Sequence, residues 1–362
     1  MPLNITQYEA LAKAMYEIYE KAELSLIRSV AKRAMRGVDG PGWTEAKLAE
    51  VHAVKREIRN TIRGLRTTRS PLMEKLLGEV YRNSAKAFVT DAQRFAGAIG
   101  LTAIEPNARR VAAILAEADL QMNAMERVIL RKANDAYLEI ISKVSAKTAS
   151  GAITTRVATK EAVQEFAKRG ITAFIDKAGR KWEMTTYAEM ATLTAIQKSS
   201  IEGYTDTMQD YGYDLAVISS AGGGSCIYCE MWEGVIVSVS GENPNYPSLN
   251  DAYGAGVFHP RCIHELSTYY DGIDRNTRDK PRVLTEESEG YTLRQQQRAM
   301  ERQVRAWKRE MAAAPDAESE RYAYNKVREW QAKIRTHIAT AKEILPRKYW
   351  REGGRQTLKQ QQ

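Results

Sequence analysis

Apolar residues recur at spacings of three and four along most of the chain, a period typical of amphipathic helices. The pattern predicts a helix that ends near 37–42, a second over 44–66, and a third over 70–98 with Pro71 in its first turn. From residue 107 the same spacing continues for roughly 35 to 40 residues, which is long for a helix of a compact domain. We therefore expect an N-terminal region built of long helices.

The middle of the chain has a different pattern. Short runs rich in β-branched and aromatic residues predict strands over 171–175, 181–184, 214–219 and 235–239, with a helix over 186–211. Residues 176–180 have the composition of a tight turn between the first two strands. The sequence therefore predicts a small α+β region within a mainly α protein.

Two apolar stripes in the C-terminal segment, separated by a break at 313–316, predict a helical hairpin. Together these patterns predict four regions along the chain. They are a helical domain of long helices over 1–150, a small α+β domain over 151–272, a linker over 273–289, and a basic helical hairpin over 290–362.

Composition narrows the class of protein. Of the 362 residues 43% are hydrophobic and 27% are charged, as in ordinary globular chains. We find no membrane-spanning segment, because no stretch approaches the roughly 18–20 apolar residues that a bilayer requires. Residues 1–23 do not resemble a signal peptide, and three cysteines, an odd number, disfavour a disulfide framework. We expect a protein made in a reducing cytosol.

Basic residues are concentrated near the C-terminus. Residues 290–362 hold 17 Lys and Arg against eight Asp and Glu, an excess of nine that equals the +9 of the whole chain. Such a segment could bind nucleic acid or an acidic protein surface, although interleaved acids are also typical of a solvated helix face. The candidate binding residues are Arg294, Arg298, Arg302 and Arg305. A second basic stripe, with the same two interpretations, consists of Arg56, Arg59, Arg63 and Arg66.

The pattern with the clearest chemistry is a pair of Cys/His motifs. Cys226-x-x-Cys229 is followed by His259-Pro-Arg-Cys262-Ile-His264. Zinc prefers four thiolate or imidazole donors at tetrahedral positions, and each motif supplies donors from one turn. We predict a structural zinc site of the three cysteines and one histidine. His259 has the better spacing from Cys262, and His264 is the alternative.

Other interpretations of these residues stay open. The cysteines could be buried as small apolar residues, or Cys226 and Cys229 could form a redox pair. A zinc-stabilised nuclease of the HNH kind would use His259 and His264 to hold a catalytic metal, but no adjacent His-Asn or Asp-His pair completes such a site. The sequence has no GxSxG or HExxH motif. We therefore expect no enzymatic activity and no small-molecule substrate.

The chain from residue 174 onward resembles the phage minor capsid protein 2 family, which is related in its C-terminal part to Mu F-like head morphogenesis proteins. Residues 1–150 resemble it only in length and helical character. The matching segments are 174–182, 187–190, 217–220, Cys226-x-x-Cys229, 232–234, 246–247, 256–264, 295–298, 301–302 and 351–352. The sequence departs from the family pattern at Leu193-Thr194, where Arg-Thr is frequent, and at Ala221-Gly222, where a histidine is common.

The resemblance implies a virion protein in few copies, in the capsid interior or at the portal vertex. It implies the portal protein and the major capsid protein as partners, with phage DNA as a further candidate. The implied role is in head morphogenesis, with DNA packaging or ejection as extensions of it. A DNA-binding accessory protein, with contacts through the C-terminal arginines, is an alternative that the basic segment itself suggests.

Overall fold

The computed structural model describes residues 5–149, 151, 153–175, 181–220, 224–262, 264–273, 276–341 and 345–353. The helices in these ranges are α1 (Ile5–Met35), α2 (Trp43–Ala49), α3 (Val51–Phe95), α4 (Ala108–Ala149), α5 (Thr155–Arg169), α6 (Met184–Asp210), α7 (Ile227–Glu230), α8 (Leu249–Gly254), α9 (Glu289–Ala313) and α10 (Ala317–Thr340). The strands are β1 (Thr172–Ile175), β2 (Lys181–Glu183), β3 (Leu215–Ile218), β4 (Ile236–Ser238) and β5 (Leu266–Thr268). A 3₁₀ helix spans Tyr349–Glu352.

The expected fold class, mainly α with a small α+β region, is confirmed. The long periodic segment from residue 107 forms α4, which has 42 residues. The predicted break in the C-terminal segment lies between α9 and α10, where the Asp316 side chain accepts a hydrogen bond from the Ser319 amide and caps α10. None of the described helices combines the length and apolarity that crossing a bilayer requires.

Two predicted helix boundaries are wrong: the helix expected over 44–66 is divided between α2 and α3 at Glu50, and no helix begins at Pro71. We expected a helix to begin at Pro71, but α3 passes through this residue and has 45 residues in all. Proline has no amide hydrogen, so the helix loses one backbone bond there. The side chains of Leu65 and Met73, before and after this point, are both buried. Their burial contributes more to helix stability than one backbone bond, which explains why the helix continues.

The described strands form two small antiparallel sheets. Strands β1 and β2 pair with each other, and the turn expected at 176–180 lies outside the described residues. The second sheet has the order β4-β3-β5, with β3 in the centre. Strand β5 was not predicted, because three residues are too few to establish a period of two. Strand β3, which precedes the first Cys motif, pairs with β4, which lies between the two motifs, and with β5, which follows the second.

The chain forms two compact units. Unit 1 consists of Met1–Met15, Ser70–Gln121 and Glu189–Gln295. Its core packs Phe88 of α3 and Tyr204 of α6 with the second sheet and all three cysteines. Unit 2 consists of Tyr16–Arg69, Met122–Ala188 and Gln296–Gln362. The four regions expected from the sequence stay a prediction.

The pairing of α9 with α10 follows the predicted apolar stripes. Val304 of α9 and Val327 and Ile334 of α10 are buried together. The partly buried side chains around them are Met300, Trp307, Trp330 and Ile338. Both stripes therefore face one shared seam, as a helical hairpin requires.

Candidate metal centre

The first Cys motif is held by a single helical turn. Cys226 immediately precedes α7, and its carbonyl accepts a hydrogen bond from the Glu230 amide at 2.9 Å. Cys229 lies within the turn and accepts from the Trp232 amide at 3.0 Å. The two-residue spacing therefore brings both thiols to one side of the same turn.

The second motif forms a tight turn of its own. The Cys262 amide donates to the His259 carbonyl at 2.8 Å. Phe258 and Arg261 have positive φ angles of 58° and 70°, a conformation that costs most residues about 1 kcal/mol or more. The Arg261 guanidinium is anchored by Glu189 at 2.6 Å. This backbone geometry turns the chain sharply enough for both histidines to approach the thiols.

The structure brings all five predicted ligand residues together around Cys229. Two groups have donor atoms that all lie within 4.8 Å of one another. The first group contains Cys226, Cys229 and His259, and the second contains Cys229, Cys262 and His264.

Individual contacts define the geometry. The Cys226 Sγ atom lies 3.0 Å from His259 Nε2. The Cys262 Sγ atom lies 3.2 Å from His264 Nδ1 and 3.5 Å from Cys229 Sγ. Cys229 is therefore shared, and each histidine contacts a different outer thiol.

The close contacts between these groups shift the pKa values of the thiols and imidazoles. The bond from Cys229 lowers the pKa of Cys226 to about 4, and the bond with Cys226 raises the pKa of His259 to about 8. Burial opposes ionisation of Cys262, but Cys229 and His264 hold its pKa well below the usual value. The hydrogen bonds of Cys229 to Cys226 and Cys262 raise the pKa of Cys229. The arrangement thus favours the thiolate, the form that binds metal, at Cys226 and Cys262 but not at Cys229.

Glu233 links the second group to its surroundings. Its Oε1 atom lies 3.0 Å from His264 Nε2 and also accepts a hydrogen bond from the Ser225 hydroxyl. The Ser220 hydroxyl donates to Oε2 at 3.0 Å. Burial would lower the pKa of His264, but Cys262 and Glu233 raise it to about 9. A carboxylate on the far nitrogen is the usual support of a metal-binding histidine.

The donor set fits zinc. With Zn–S bonds of about 2.3 Å and Zn–N bonds of about 2.0 Å, tetrahedral geometry places neighbouring donors roughly 3.5 to 3.8 Å apart. The contacts of 3.0, 3.2 and 3.5 Å between donors are only a few tenths of an ångström shorter. Cys226 and Cys262 belong to different groups, so one ion held by the three cysteines and one histidine would require these two side chains to move towards each other.

The segment expected to be a linker covers this region. The Arg282 amide donates to the Met231 carbonyl at 2.9 Å, and Glu287 accepts from the Ile227 amide at 2.9 Å. The Ser288 hydroxyl donates to the Ser225 carbonyl at 3.1 Å. Residues 276–288 therefore pack along the first Cys motif, and sequence reasoning did not anticipate this.

The four candidate arginines of α9 have different environments. Arg294 and Arg298 are half-buried, and Arg302 is exposed. Arg305 is buried, donates to the Arg351 carbonyl at 2.7 Å, and lies 3.5 Å from Glu183. The spacing on the helix did not reveal this, because the compensating acids are far away in the sequence.

Sequence comparison decides the family. The model of the family described as "Phage minor capsid protein 2" matches residues 3–339, which is nearly the whole chain. The chain belongs to this phage minor capsid protein family. The resemblance noted from the Cys/His region is therefore confirmed, and it extends through the N-terminal helices.

Two relatives agree with this family membership. A "Structural protein" of Lactococcus phage LL-H is 31% identical over 249 residues, which is 64% of this chain and 64% of that protein. The chain thus spans just under two thirds of the length of that relative. A "Structural protein" of Lactococcus phage mv4 is 37% identical over 116 residues, which is 30% of this chain and 93% of that protein. No solved structure matches the chain.

Proposed function

We propose that this minor capsid protein is an assembly component of the phage head, located at or near the portal vertex. Its proposed partners are the portal protein and the major capsid protein, and its role extends to DNA packaging or ejection. The observation that carries the proposal is the family match over residues 3–339. The two structural proteins of Lactococcus phages support it.

We further propose that the Cys/His centre holds one structural zinc ion. Among the described residues, Cys229 and His264 are each only 1% exposed, which shields an ion bound between them from a substrate. A catalytic zinc needs an open coordination position, whereas a structural zinc is enclosed by four protein ligands. The burial therefore supports a structural role over a nuclease of the HNH kind.

The location is tested in particles from a phage that lacks this gene and is complemented in trans. Complementation with the wild-type chain should restore mature heads, and cross-linking within those particles should join the protein to the portal. Particles that mature normally without the protein would contradict the assembly role. Particles that contain it cross-linked only to tail proteins would contradict the location.

The zinc is tested by elemental analysis of the purified protein. We expect one zinc per chain in the wild type and none in Cys262→Ser. The nuclease alternative predicts a different result: metal-dependent cleavage of DNA, which His259→Ala abolishes while the fold is retained.

A further inference from the structure

Four arginines form a line along the N-terminal part of α3. Arg56, Arg59, Arg63 and Arg66 follow one another at spacings of three and four, which places them within about a quarter of the helix circumference. All four are exposed. With a rise of about 1.5 Å per residue, the line is about 15 Å long. We call these four residues the α3 arginine row.

Most of the row has no partner among the residues that the structure describes. Among the described residues, Arg56, Arg59 and Arg63 have no hydrogen bond or ion pair. Arg66 lies 3.0 Å from Glu126, a carboxylate that is fully buried and also binds Arg69. The row's positive charge is therefore largely uncompensated.

The acidic residue nearest in sequence does not neutralise the row. Glu57, the one acid between residues 56 and 66, lies 2.7 Å from Arg33 of α1. Like charges three and four residues apart destabilise a helix by a few tenths of a kcal/mol per pair. A solvated face selected only for solubility would interleave acids with these bases. The row therefore carries an unfavourable repulsion that a bound polyanion would relieve.

Helix α10 shows a contrasting arrangement in the same unit. Arg321, Arg328 and Arg335 are exposed and also lie on one face, but they are seven residues apart. Glu329, on the same helix, pairs with Lys326 at 2.8 Å and Lys333 at 2.9 Å. The α10 face therefore has a lower charge density, although its three arginines also have no hydrogen bond or ion pair among the described residues.

We propose that the α3 arginine row binds the phosphate backbone of double-stranded DNA without sequence preference. A duplex carries about one charge per 1.7 Å, so the row spans roughly nine phosphates. Arginine forks bind phosphate oxygens in a bidentate manner and remain charged at any physiological pH. The choice of DNA over an acidic protein surface rests on the proposed location in the phage head.

The test measures the affinity of the full-length protein for a labelled random-sequence duplex, by fluorescence anisotropy at several salt concentrations. The triple variant Arg56→Ala, Arg59→Ala, Arg63→Ala should bind at least about tenfold more weakly at low salt. Its log–log salt slope should fall by about 0.9 for each arginine removed. Its thermal unfolding should be unchanged or slightly raised, because these side chains form no hydrogen bond or ion pair with another described residue and their mutual repulsion is removed.

The matched control is Arg321→Ala, Arg328→Ala, Arg335→Ala, which removes the same charge from α10. We expect it to retain most of the affinity and most of the salt slope. An equal loss in both variants would mean that only net charge matters and would overturn the proposal, as would a wild-type protein that does not bind the duplex. Displacement of the duplex by polyglutamate as readily as by unlabelled DNA would overturn it in favour of an acidic protein partner. The assay uses purified protein, so its failure leaves the virion experiment unaffected.

Discussion

Glu233 is the side chain that joins the Cys/His cluster to the surrounding fold. It contacts His264 at 3.0 Å and accepts hydrogen bonds from Ser220 and Ser225. A metal-bound histidine becomes a better ligand when a carboxylate accepts its second N–H. Glu233 therefore fixes both the orientation and the basicity of His264.

This arrangement predicts the effect of Glu233→Gln. The amide keeps most of the shape but loses the charge, so zinc affinity should fall about 10- to 100-fold. Competition with a chromophoric chelator measures the change. Glu242→Gln is the control, because Glu242 is an exposed residue of the same unit. Equal affinities in the two variants would show that Glu233 does not support a ligand.

The two histidines can be separated in the same way. His264 is nearly inaccessible, whereas His259 is only partly buried and its Nδ1 atom lies 2.9 Å from the Pro260 carbonyl. We expect His264→Ala to lower the zinc content more than His259→Ala. The reason is that the Glu233 carboxylate supports His264, whereas His259 contacts a neutral backbone carbonyl. The reverse order in elemental analysis would identify His259 as the fourth ligand, as its spacing from Cys262 suggested.

At the residue scale the sequence predicted the donors but not their support. Cysteine and histidine are rare, so their close spacing between residues 226 and 264 was informative without a structure. Glu233 is one of 45 acidic residues and follows no ligand spacing. Its role depends on the fold placing it beside His264, which lies 31 positions away.

Among the elements, α9 shows how a basic helix can be neutralised internally. Arg305 and Arg309 face Glu183 of β2 at 3.5 and 2.9 Å. Burial opposes the charge of Glu183, yet Arg309 and Arg305 lower its pKa to about 2. The basic composition of this segment therefore reflects, in part, pairing with acids from elsewhere in the chain.

The pairing predicts sensitivity to acid. The pKa of Glu183 is about 2 in the folded protein and near 4.5 when unfolded, so its stabilisation is present above pH 4.5 and is lost as pH falls towards 2. The free energy of unfolding, measured in urea between pH 6 and 3, should decline with acid. In Glu183→Gln this decline should be shallower. An identical decline in both proteins would show that other carboxylates account for it.

The seam between α9 and α10 makes a second prediction at this scale. Ile334 is completely buried among apolar side chains of both helices. Ile334→Ala should lower the free energy of unfolding by about 2–5 kcal/mol, because it removes buried methylene groups and leaves a cavity. Thr336→Ala, on the exposed side of α10, should change it by less than about 0.5 kcal/mol. Similar losses in the two variants would contradict the assignment of the seam.

Hydrophobic periodicity predicted some of these elements correctly and missed others. The α9 and α10 stripes were recognised because each extends over several turns. The passage of α3 through Pro71 was missed, because the local preference of proline for a helix start was outweighed by packing before and after it. Strand β5 was missed because its three residues gain their stability from pairing with β3 and not from local preference.

For the whole molecule, each compact unit is assembled from segments that are far apart in the sequence. Phe88 and Trp232 lie in one core although 144 positions separate them. Periodicity reports which face of an element is buried, but not which distant element covers it. Sequence patterns therefore could not predict that unit 1 combines Met1–Met15, Ser70–Gln121 and Glu189–Gln295, or that unit 2 combines the remaining segments.

The position of the cysteines in the core of unit 1 predicts the effect of chelation. Removal of zinc by a strong chelator should increase amide exchange in unit 1, around β3 and β5, while the α9–α10 seam of unit 2 stays protected. Mass spectrometry of exchanged peptides measures this. Unchanged protection in unit 1 would indicate that the thiols pack as apolar side chains without metal.

The near-complete enclosure of Cys229 determines when a phage particle could acquire the proposed metal. An ion bound behind a thiol that is 1% exposed can leave only when unit 1 opens. The metal that a capsid carries would then be the one captured as the chain folded in its host. Isotopically labelled zinc should be incorporated when it is supplied before lysis, while the chain folds. It should not be incorporated when it is added to finished particles after lysis.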